Sequence, residues 1–309
     1  MIIVNWNTRA LLLACLESVF SIQGEHGLQV IVVDNGSHDG SVAAIRHAFP
    51  AVTVIENGRN LGFARAVNRG LSVAAGPFIL LLNSDARITW QSLITYRAFF
   101  DAHPKVGVVG GNYLNEDGSR QNSFDNFPTL TTELLNKSLL RLLFPKKYPS
   151  KRKQYTEPLE VESVIGAAMM VRKEAIDSVG MLDEDYFFFI EETDWCLRMR
   201  DAGWKIYHLP NAPIYHLQGK SKEKDPGAAW IEYYRSLYLF FRKHRGLTAY
   251  WILRIVKLAK LGTNWLLTLA GLGATMGRSS RLRRKFRIYS RLLLWHLRFC
   301  PSNAGLEGK

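Results

Sequence analysis

The run Phe78-Ile79-Leu80-Leu81-Leu82 leaves this chain few folds to choose from. It is apolar throughout, with Gly76-Pro77 before it and Asn83-Ser84-Asp85 after it. Such a short unbroken run predicts a strand buried on both faces, which is the strand type of a parallel sheet covered by helices. In open sheets of that kind, ligands bind beyond the carboxyl ends of the strands. Asp85 is thereby expected where a cofactor or metal would sit. The same tripeptide also suits a plain turn, with Asp85 capping a helix near Trp90, and on the motif alone that plainer reading is favoured, so the rest of the chain has to shift the balance.

The preceding residues repeat the pattern. Ile2-Ile3-Val4 reads as a first strand leading into Asn5-Trp6-Asn7, and Arg9 to Phe20 has helical spacing. Val30 to Val33 is a second strand ending at Asp34-Asn35-Gly36-Ser37, and Asp39-Gly40-Ser41 opens a helix that stops before Pro50. Val52 to Ile55 is a third strand, and Asn60-Leu61-Gly62-Phe63-Ala64 opens a helix through Asn68. Strands alternating with helices over short links predict an α/β fold, a Rossmann-like, mostly parallel sheet flanked by helices. The strands end on Asn5, Asp34 and Asn83, so several polar groups are expected along one sheet edge, where a nucleotide could bind.

Further on, Ser92 to Asp101 predicts a helix and Val106 to Val109 a strand, and Asn112 to Glu157 is less regular. Val161 to Val171 is apolar and interrupted by Gly166-Ala167-Ala168, small residues that suit either close approach to a ligand or close packing of two elements. Tyr186-Phe187-Phe188-Phe189-Ile190 then runs into Glu191-Glu192-Thr193-Asp194. Glu191 to Asp201 predicts a helix stopped by Gly203. Acids in a first helical turn complement the helix dipole. Beside an aromatic wall, one of them would also suit a general base, its pKa raised by burial. Lys205 to Leu209 is a further strand, Pro210 to Pro213 predicts a turn, and Ile214-Tyr215-His216 leads to a polar loop from Gln218 to Gly227.

These stretches, taken in order, resemble the family 2 glycosyltransferases of the GT-A fold, in the branch often called rhamnosyltransferases. The matching segments are Ile2 to Asn7, Val32 to Gly40, Asn60 to Ala64 with Asn68-Arg69-Gly70, and Leu82-Asn83-Ser84-Asp85. Gly166 to Met169, Glu191 to Arg198, and His216 with Gly219 and Ser221 complete the set. Each motif is weak alone, and the ordered set is specific. The resemblance implies that Asn5, Asn7, Asp34, Asn35 and Ser37 hold the base and ribose of a donor nucleotide, and that Asn60, Gly62 and Asn68 shape the pocket wall. Asn83-Ser84-Asp85 takes the place of the family's metal-binding DxD motif, with Asn83 in place of the first Asp and Asp85 as the better ligand. His216 matches a histidine that also reaches the metal in some members of the family. Glu192 falls on the position of the catalytic base, with Glu191 and Asp194 as reserve candidates.

The implied activity is inverting transfer of a sugar, rhamnose as first choice, from a nucleoside-diphosphate sugar. The implied cofactor is Mg²⁺ or Mn²⁺, and the implied acceptor is a lipid-linked or polysaccharide glycan of the cell surface. Residues 1–229 would form the transferase domain, with a donor half over about 1–111 and an acceptor half over about 112–229.

Charge sets the remaining residues, 230–309, apart. From Arg242 onward, 15 Lys and Arg stand against one acid, Glu307, a balance of +14 in a chain whose total is +13. Such a tail calls for an anionic partner. Arg254, Lys257 and Lys260 recur at helical spacing among apolar residues, and Arg284, Arg287, Arg291 and Arg298 form a second basic stripe. Leu261 to Gly277 is uncharged but falls short of the ~20 apolar residues that a spanning helix needs. The tail therefore predicts basic helices lying on an anionic membrane surface, each engaged Lys or Arg contributing about 1 kcal/mol. An ordinary solvated basic face is the alternative. The absence of a recognition motif disfavours nucleic acid.

Cys15, Cys196 and Cys300 are too widely spaced for a disulfide framework and suit a reducing compartment. Met1 to Val4 lacks the basic n-region of a secretory signal. Together these place the chain, as an expectation, at the cytoplasmic face of the cell membrane, peripheral or monotopic. Nothing in the pattern sets an oligomeric state. Asn5-Trp6-Asn7-Thr8 is not the Gly-rich basic loop of a sugar nucleotidyltransferase, and no G-x-G-x-x-G follows the first strand as in a dinucleotide oxidoreductase. A non-catalytic membrane scaffold of the same fold is the remaining rival.

Overall fold

The computed structural model describes residues 1–23, 27–151, 153–217, 225–301 and 304–306. The chain forms two compact units. The first takes in residues 1–127, 144–186 and 191–218, and the second takes in 128–143, 187–190 and 219–309. Residues 218–224 of the polar loop, with Gly219 and Ser221, lie outside the described residues.

The first unit opens as β1 (Ile2–Asn5), α1 (Arg9–Gln23), β2 (Ile31–Asp34), α2 (Ser41–Ala48), β3 (Thr53–Glu56), α3 (Phe63–Leu71) and β4 (Phe78–Asn83). Then come β5 (Ala86–Ile88), α4 (Trp90–Ala102), β6 (Val106–Leu114) and β7 (Phe124–Asp125). The chain passes through α5 (Leu130–Leu134) and α6 (Lys137–Leu143) of the second unit. It returns as β8 (Leu159–Glu160), β9 (Ser163–Val164), β10 (Ala168–Arg172), α7 (Lys173–Val179), α8 (Glu191–Asp201) and β11 (Lys205–His216).

The large sheet has the order β3-β2-β1-β4-β10-β6-β11-β5, with β8 paired to β11. Its first four strands are parallel, as the apolar runs require. Register lines up their polar ends: Asn5 lies opposite Asp34, Asp34 opposite Glu56, and Val4 opposite Asn83. The core beneath them is formed by residues such as Leu12, Leu16, Val32, Leu80, Leu82 and Tyr96.

Beyond β4 the sheet turns mixed, which the sequence pattern does not reveal. The apolar segment from Val161 forms two strands, β9 and β10, on either side of the Gly166-Ala167 link, and β10 enters antiparallel between β4 and β6. Because β10 runs backwards, its first residue, Ala168, meets the end of β4 opposite Leu82. Asn83 N–H donates to the Ala167 carbonyl at 2.9 Å. The Gly166-Ala167 link is thereby brought to the sheet edge that carries the polar strand ends.

Two further local expectations change. Asp85 does not cap a helix, because β5 follows it and Thr89 is the N-cap of α4. Pro210 to Pro213 does not end the strand either. β11 continues through it with a register shift between Leu209 and Pro213, as expected of proline, which cannot donate to a ladder and is tolerated at a bulge. This continuation matters for the site, since the far end of β11 pairs antiparallel with β5 and sets His216 opposite Ala86.

The second unit adds α9 (Pro226–His244), α10 (Gly246–Ala274) and α11 (Ser280–Leu297). Asp225 caps α9 by accepting from Ala228 N–H at 3.0 Å and also binds Arg291 at 2.9 Å. Tyr238 of α9 stacks on Trp295 and bonds the His296 ring at 2.9 Å. Trp265 of α10 donates to Ser290 Oγ of α11 at 2.8 Å, and Lys257 pairs with Glu133 of α5 at 2.8 Å. Two residues of the basic stripes, Lys257 and Arg291, are thus engaged within the unit. Among the described residues, no helix is long and apolar enough to cross a membrane.

Candidate active site

The polar strand ends of the first unit are joined by hydrogen bonds into one row. Asn5 Nδ2 donates to Asp34 Oδ1 at 2.7 Å and to Ser37 Oγ at 3.0 Å. Ser37 N–H donates to Asp34 Oδ2 at 2.8 Å, and Asn7 N–H to Ser37 Oγ at 2.8 Å. Asn7 sits at φ 53°, a left-handed conformation that Asn tolerates, and its side chain accepts from His38 N–H at 2.8 Å. Asn35 is buried and ties the next loop together, donating to the Gly62 carbonyl at 3.0 Å and to Asn60 Oδ1 at 3.3 Å. Gly36 cannot be replaced here: at φ 74°, an added Cβ would come within 2.6 Å of the Arg59 backbone. Asn68 takes other partners, donating to the Leu182 carbonyl at 2.8 Å and accepting from Leu182 N–H at 3.1 Å.

Thr8 extends the row. Its hydroxyl donates to Asn5 Oδ1 at 2.7 Å and lies 2.9 Å from Ser84 Oγ. Hydrogen bonds therefore run from Asp34 through Asn5 and Thr8 to Ser84, the residue between Asn83 and Asp85. Cys15 lies beneath, its thiol 3.7 Å from the Asn83 carbonyl. Burial, with a smaller push from the Asp85 charge, raises that thiol's pKa to about 12.

Asp85 and His216 meet, as the family resemblance implies. His216 Nε2 is 3.3 Å from Asp85 Oδ1, and Leu217 N–H donates to the Asp85 carbonyl at 2.9 Å. Gln121, which the sequence reading did not single out, orients the imidazole. Its Nε2 donates to the main-chain carbonyl of His216 and, at 2.6 Å, to Asn115 Oδ1. A carbonyl can only accept, so the Gln121 amide can stand only one way round. Its Oε1 is then left to accept from His216 Nδ1–H at 3.0 Å. This fixes the proton on Nδ1 and turns Nε2 toward Asp85, the usual arrangement behind a metal-binding imidazole.

Among the described residues, no three His, Cys, Asp or Glu side chains are grouped to hold an ion. The pair still fits a hard divalent cation. Two donors 3.3 Å apart suit adjacent positions on one octahedral ion, where ligands at ~2.1 Å bonds lie about 3 Å from each other. Mg²⁺-type ions commonly take only one or two protein groups and complete the shell with phosphate and water.

Tyr113 connects this pair to the acidic turn. Its ring lies edge-on to His216, with centroids 6.0 Å apart. Its hydroxyl donates to the Ile165 carbonyl and accepts from Ala168 N–H at 2.9 Å. Burial raises the phenol pKa strongly, and the Glu192 charge adds to the shift. Gly166 lies over the same carboxylate, since a Cβ placed on it would sit 3.7 Å from Glu192 Cβ and Cγ and 3.8 Å from Cδ.

The three acids of α8 separate by environment. Asp194 is fully buried and binds Arg198 Nε at 2.8 Å, one turn along the helix. Arg198 in turn donates to the Val179 and Met181 carbonyls at 2.8 Å each, so Asp194 holds the helix to its neighbouring loop. Glu191 is buried at the start of the helix, and Glu192 is half-buried, facing Gly166. Immediately before them, Phe189 and Ile190 hold φ values of 72° and 69°, conformations that cost bulky residues about 1–3 kcal/mol each and persist where surrounding structure enforces them.

The pattern of glycosyl transferase family 2 matches residues 1–180, more than half of the chain. The chain belongs to that family. It is a glycosyltransferase, and rhamnosyltransferases are among its relatives. The N-acetylglucosaminyl-diphospho-decaprenol L-rhamnosyltransferase of Mycobacterium tuberculosis is 28% identical over 242 residues, covering 73% of this chain and 78% of that protein. The dTDP-rhamnosyl transferase RfbF of Shigella flexneri is 25% identical over 232 residues, covering 72% of this chain and 70% of its own length. A similar fold is found in the mannosyltransferase PcManGT of Pyrobaculum calidifontis, solved with GDP-Man and Mn²⁺. That match has a TM-score of 0.57 at 17% identity and covers 96% of this chain and 85% of that one. A TarS structure from S. aureus with UDP-GlcNAc superposes with a TM-score of 0.52 at 18% identity, over 77% of this chain and 64% of that one. These likenesses identify the fold as GT-A-like.

Proposed function

We propose that this glycosyltransferase moves a deoxyhexose, rhamnose as first choice, from a nucleoside-diphosphate donor to a lipid-linked glycan, inverting the anomeric centre. The observation that carries the reading is the placement of Asp85 and His216 together, with Tyr113 and Gly166 linking them to Glu192. The rhamnosyltransferase relatives support the donor sugar, and the decaprenol-diphosphate acceptor named for the mycobacterial protein supports a lipid-linked acceptor.

In this reading, the row from Asp34 to Thr8 binds the nucleoside, with Asn35, Asn60 and Gly62 shaping its wall. Asp85 and His216 would hold Mg²⁺ or Mn²⁺, which would supply Lewis-acid neutralisation of the charge on the departing diphosphate. Gln121 keeps His216 Nε2 facing that position. Glu192 accepts the proton of the acceptor hydroxyl as it attacks. A single displacement on the face opposite the leaving group inverts the sugar, and no covalent enzyme intermediate is required. Residues 1–229 carry out transfer, and 230–309 keep the enzyme at the cytoplasmic face of the membrane, where a lipid-linked acceptor is found.

The test is a thermal-shift screen of nucleoside diphosphates and their sugars, with and without Mn²⁺, followed by transfer assays on Glu192→Ala. One nucleotide should stabilise the protein only when metal is present, and Glu192→Ala should retain that stabilisation while losing turnover. Near-normal transfer by Glu192→Ala would remove the assignment of the base.

A further inference from the structure

The second unit has a helix that is apolar on both sides. The inner stripe of α10, through Leu253, Leu261 and Thr268, is buried. Its opposite side carries Trp251, Ile252, Ile255, Val256, Leu266 and Leu267, exposed by 51%, 42%, 63%, 39%, 60% and 66%. At 100° per residue these six fall within one broad face, opposite the inner stripe. A water-facing helix surface would carry charge there. An exposed apolar strip of this length marks an interaction surface.

We infer that this face of α10 lies in the plane of an anionic lipid bilayer, its apolar side chains below the headgroups. Charge selects that occupant. α10 and α11 contain no Asp or Glu. α11 packs along α10 through Trp265, Phe286 and Ser290, and it exposes Arg281, Arg283, Arg284, Lys285 and Arg287. A second copy of the chain would bring the same cations against each other, which costs binding, whereas anionic headgroups neutralise them. The geometry is interfacial, not spanning, since no described helix is long and apolar enough to cross. Trp251 is the residue type that settles at the headgroup boundary.

This surface rests on the membrane association proposed above and is independent of the sugar chemistry. The experiment uses full-length protein and vesicles of phosphatidylcholine with or without phosphatidylglycerol. Binding should require the anionic lipid. Ile255→Glu with Leu266→Glu should lower vesicle binding at least tenfold and leave metal-dependent nucleotide binding intact. As a second readout on unaltered helices, brominated lipid should quench the wild-type tryptophan emission more than that of Trp251→Phe. If wild type ignores anionic vesicles, membrane association itself fails. If it binds them while the double variant binds equally and Trp251 is not quenched, only the α10 face is wrong. A dimer in solution that buries Trp251 would also overturn the assignment.

Discussion

The two compact units break the usual placement of polar and apolar groups at different places. In the first, polar side chains are drawn inward and fixed: Asn5, Asp34, Asn35, Asp194 and His216 are all buried, and each is held by named hydrogen-bond partners. In the second, large apolar side chains are turned outward along α10. Burying a polar group costs free energy unless it is paired, and exposing an apolar one forgoes the gain of burial. Each unit therefore departs from the simplest rule of folding at the place where it does something else. On the function proposed above, the first departs from it to hold reacting groups in position, and the second to meet a membrane surface.

The sharpest way to break that contrast is at the acidic turn. Glu192→Gln should lower kcat by about 10²–10⁴-fold, the usual contribution of a general base, with nucleotide binding and stability unchanged in calorimetry. Asp194→Ala should do the reverse, because it removes a buried partner of Arg198. Arg198 keeps some access to solvent, so a loss of about 3 kcal/mol is expected, at the lower end of what breaking a buried pair costs, read by urea denaturation. If Asp194→Ala were stable and dead while Glu192→Gln stayed active, the two acids would have to exchange roles.

A second contrast concerns two buried imidazoles of β11. His216 has Gln121 as partner for Nδ1, whereas His208 Nδ1 has no hydrogen-bond partner among the described residues. Burial lowers the His208 pKa from 6.5 to about 4, with the Gly111 backbone pulling weakly the other way. Its folded value lies below its unfolded one, so between the two the unfolded chain holds the extra proton. The contribution is whole above pH 6.5 and is lost as pH falls toward about 4, and the difference corresponds to about 3 kcal/mol. His208→Leu should flatten the stability curve in that window, measured by denaturation at a series of pH values. Gln121→Leu should weaken Mn²⁺ binding in the presence of nucleotide by about 10–100-fold, followed by electron paramagnetic resonance of the free ion. The smallest effect belongs to the second unit: Ile255→Glu should change stability by no more than about 0.5 kcal/mol, since the side chain is 63% exposed.

Much of the donor half was legible because its signals are local. The first, second and fourth apolar runs are largely buried strands that end on Asn5, Asp34 and Asn83, whereas β3 at the sheet edge is only partly buried. Parallel register alone sets Asn5 beside Asp34 and near Asn83. Helix α8 runs over Glu191–Asp201, the limits its first-turn acids and Gly203 predict. Gln121 left no such signal. It lies in an irregular segment, 95 residues before the histidine it orients, and nothing in its neighbours marks it. Thr8 was nearer to hand, since it follows Asn5 by one helical turn, but only its contact with Ser84 shows what it joins.

By itself the sequence determined the parallel half of the sheet, the polar edge where its strands stop, and the acid-rich start of α8, because period, burial and charge act over a few residues at a time. Tertiary structure alone decided which acid lies against Gly166 and which is bound to Arg198. It also decided that β10 runs backwards to bring Gly166 to the edge, and that β11 continues past its prolines to set His216 against Asp85. Those outcomes depend on pairing between strands far apart in the chain, and neither periodicity nor motif spacing carries information about that pairing.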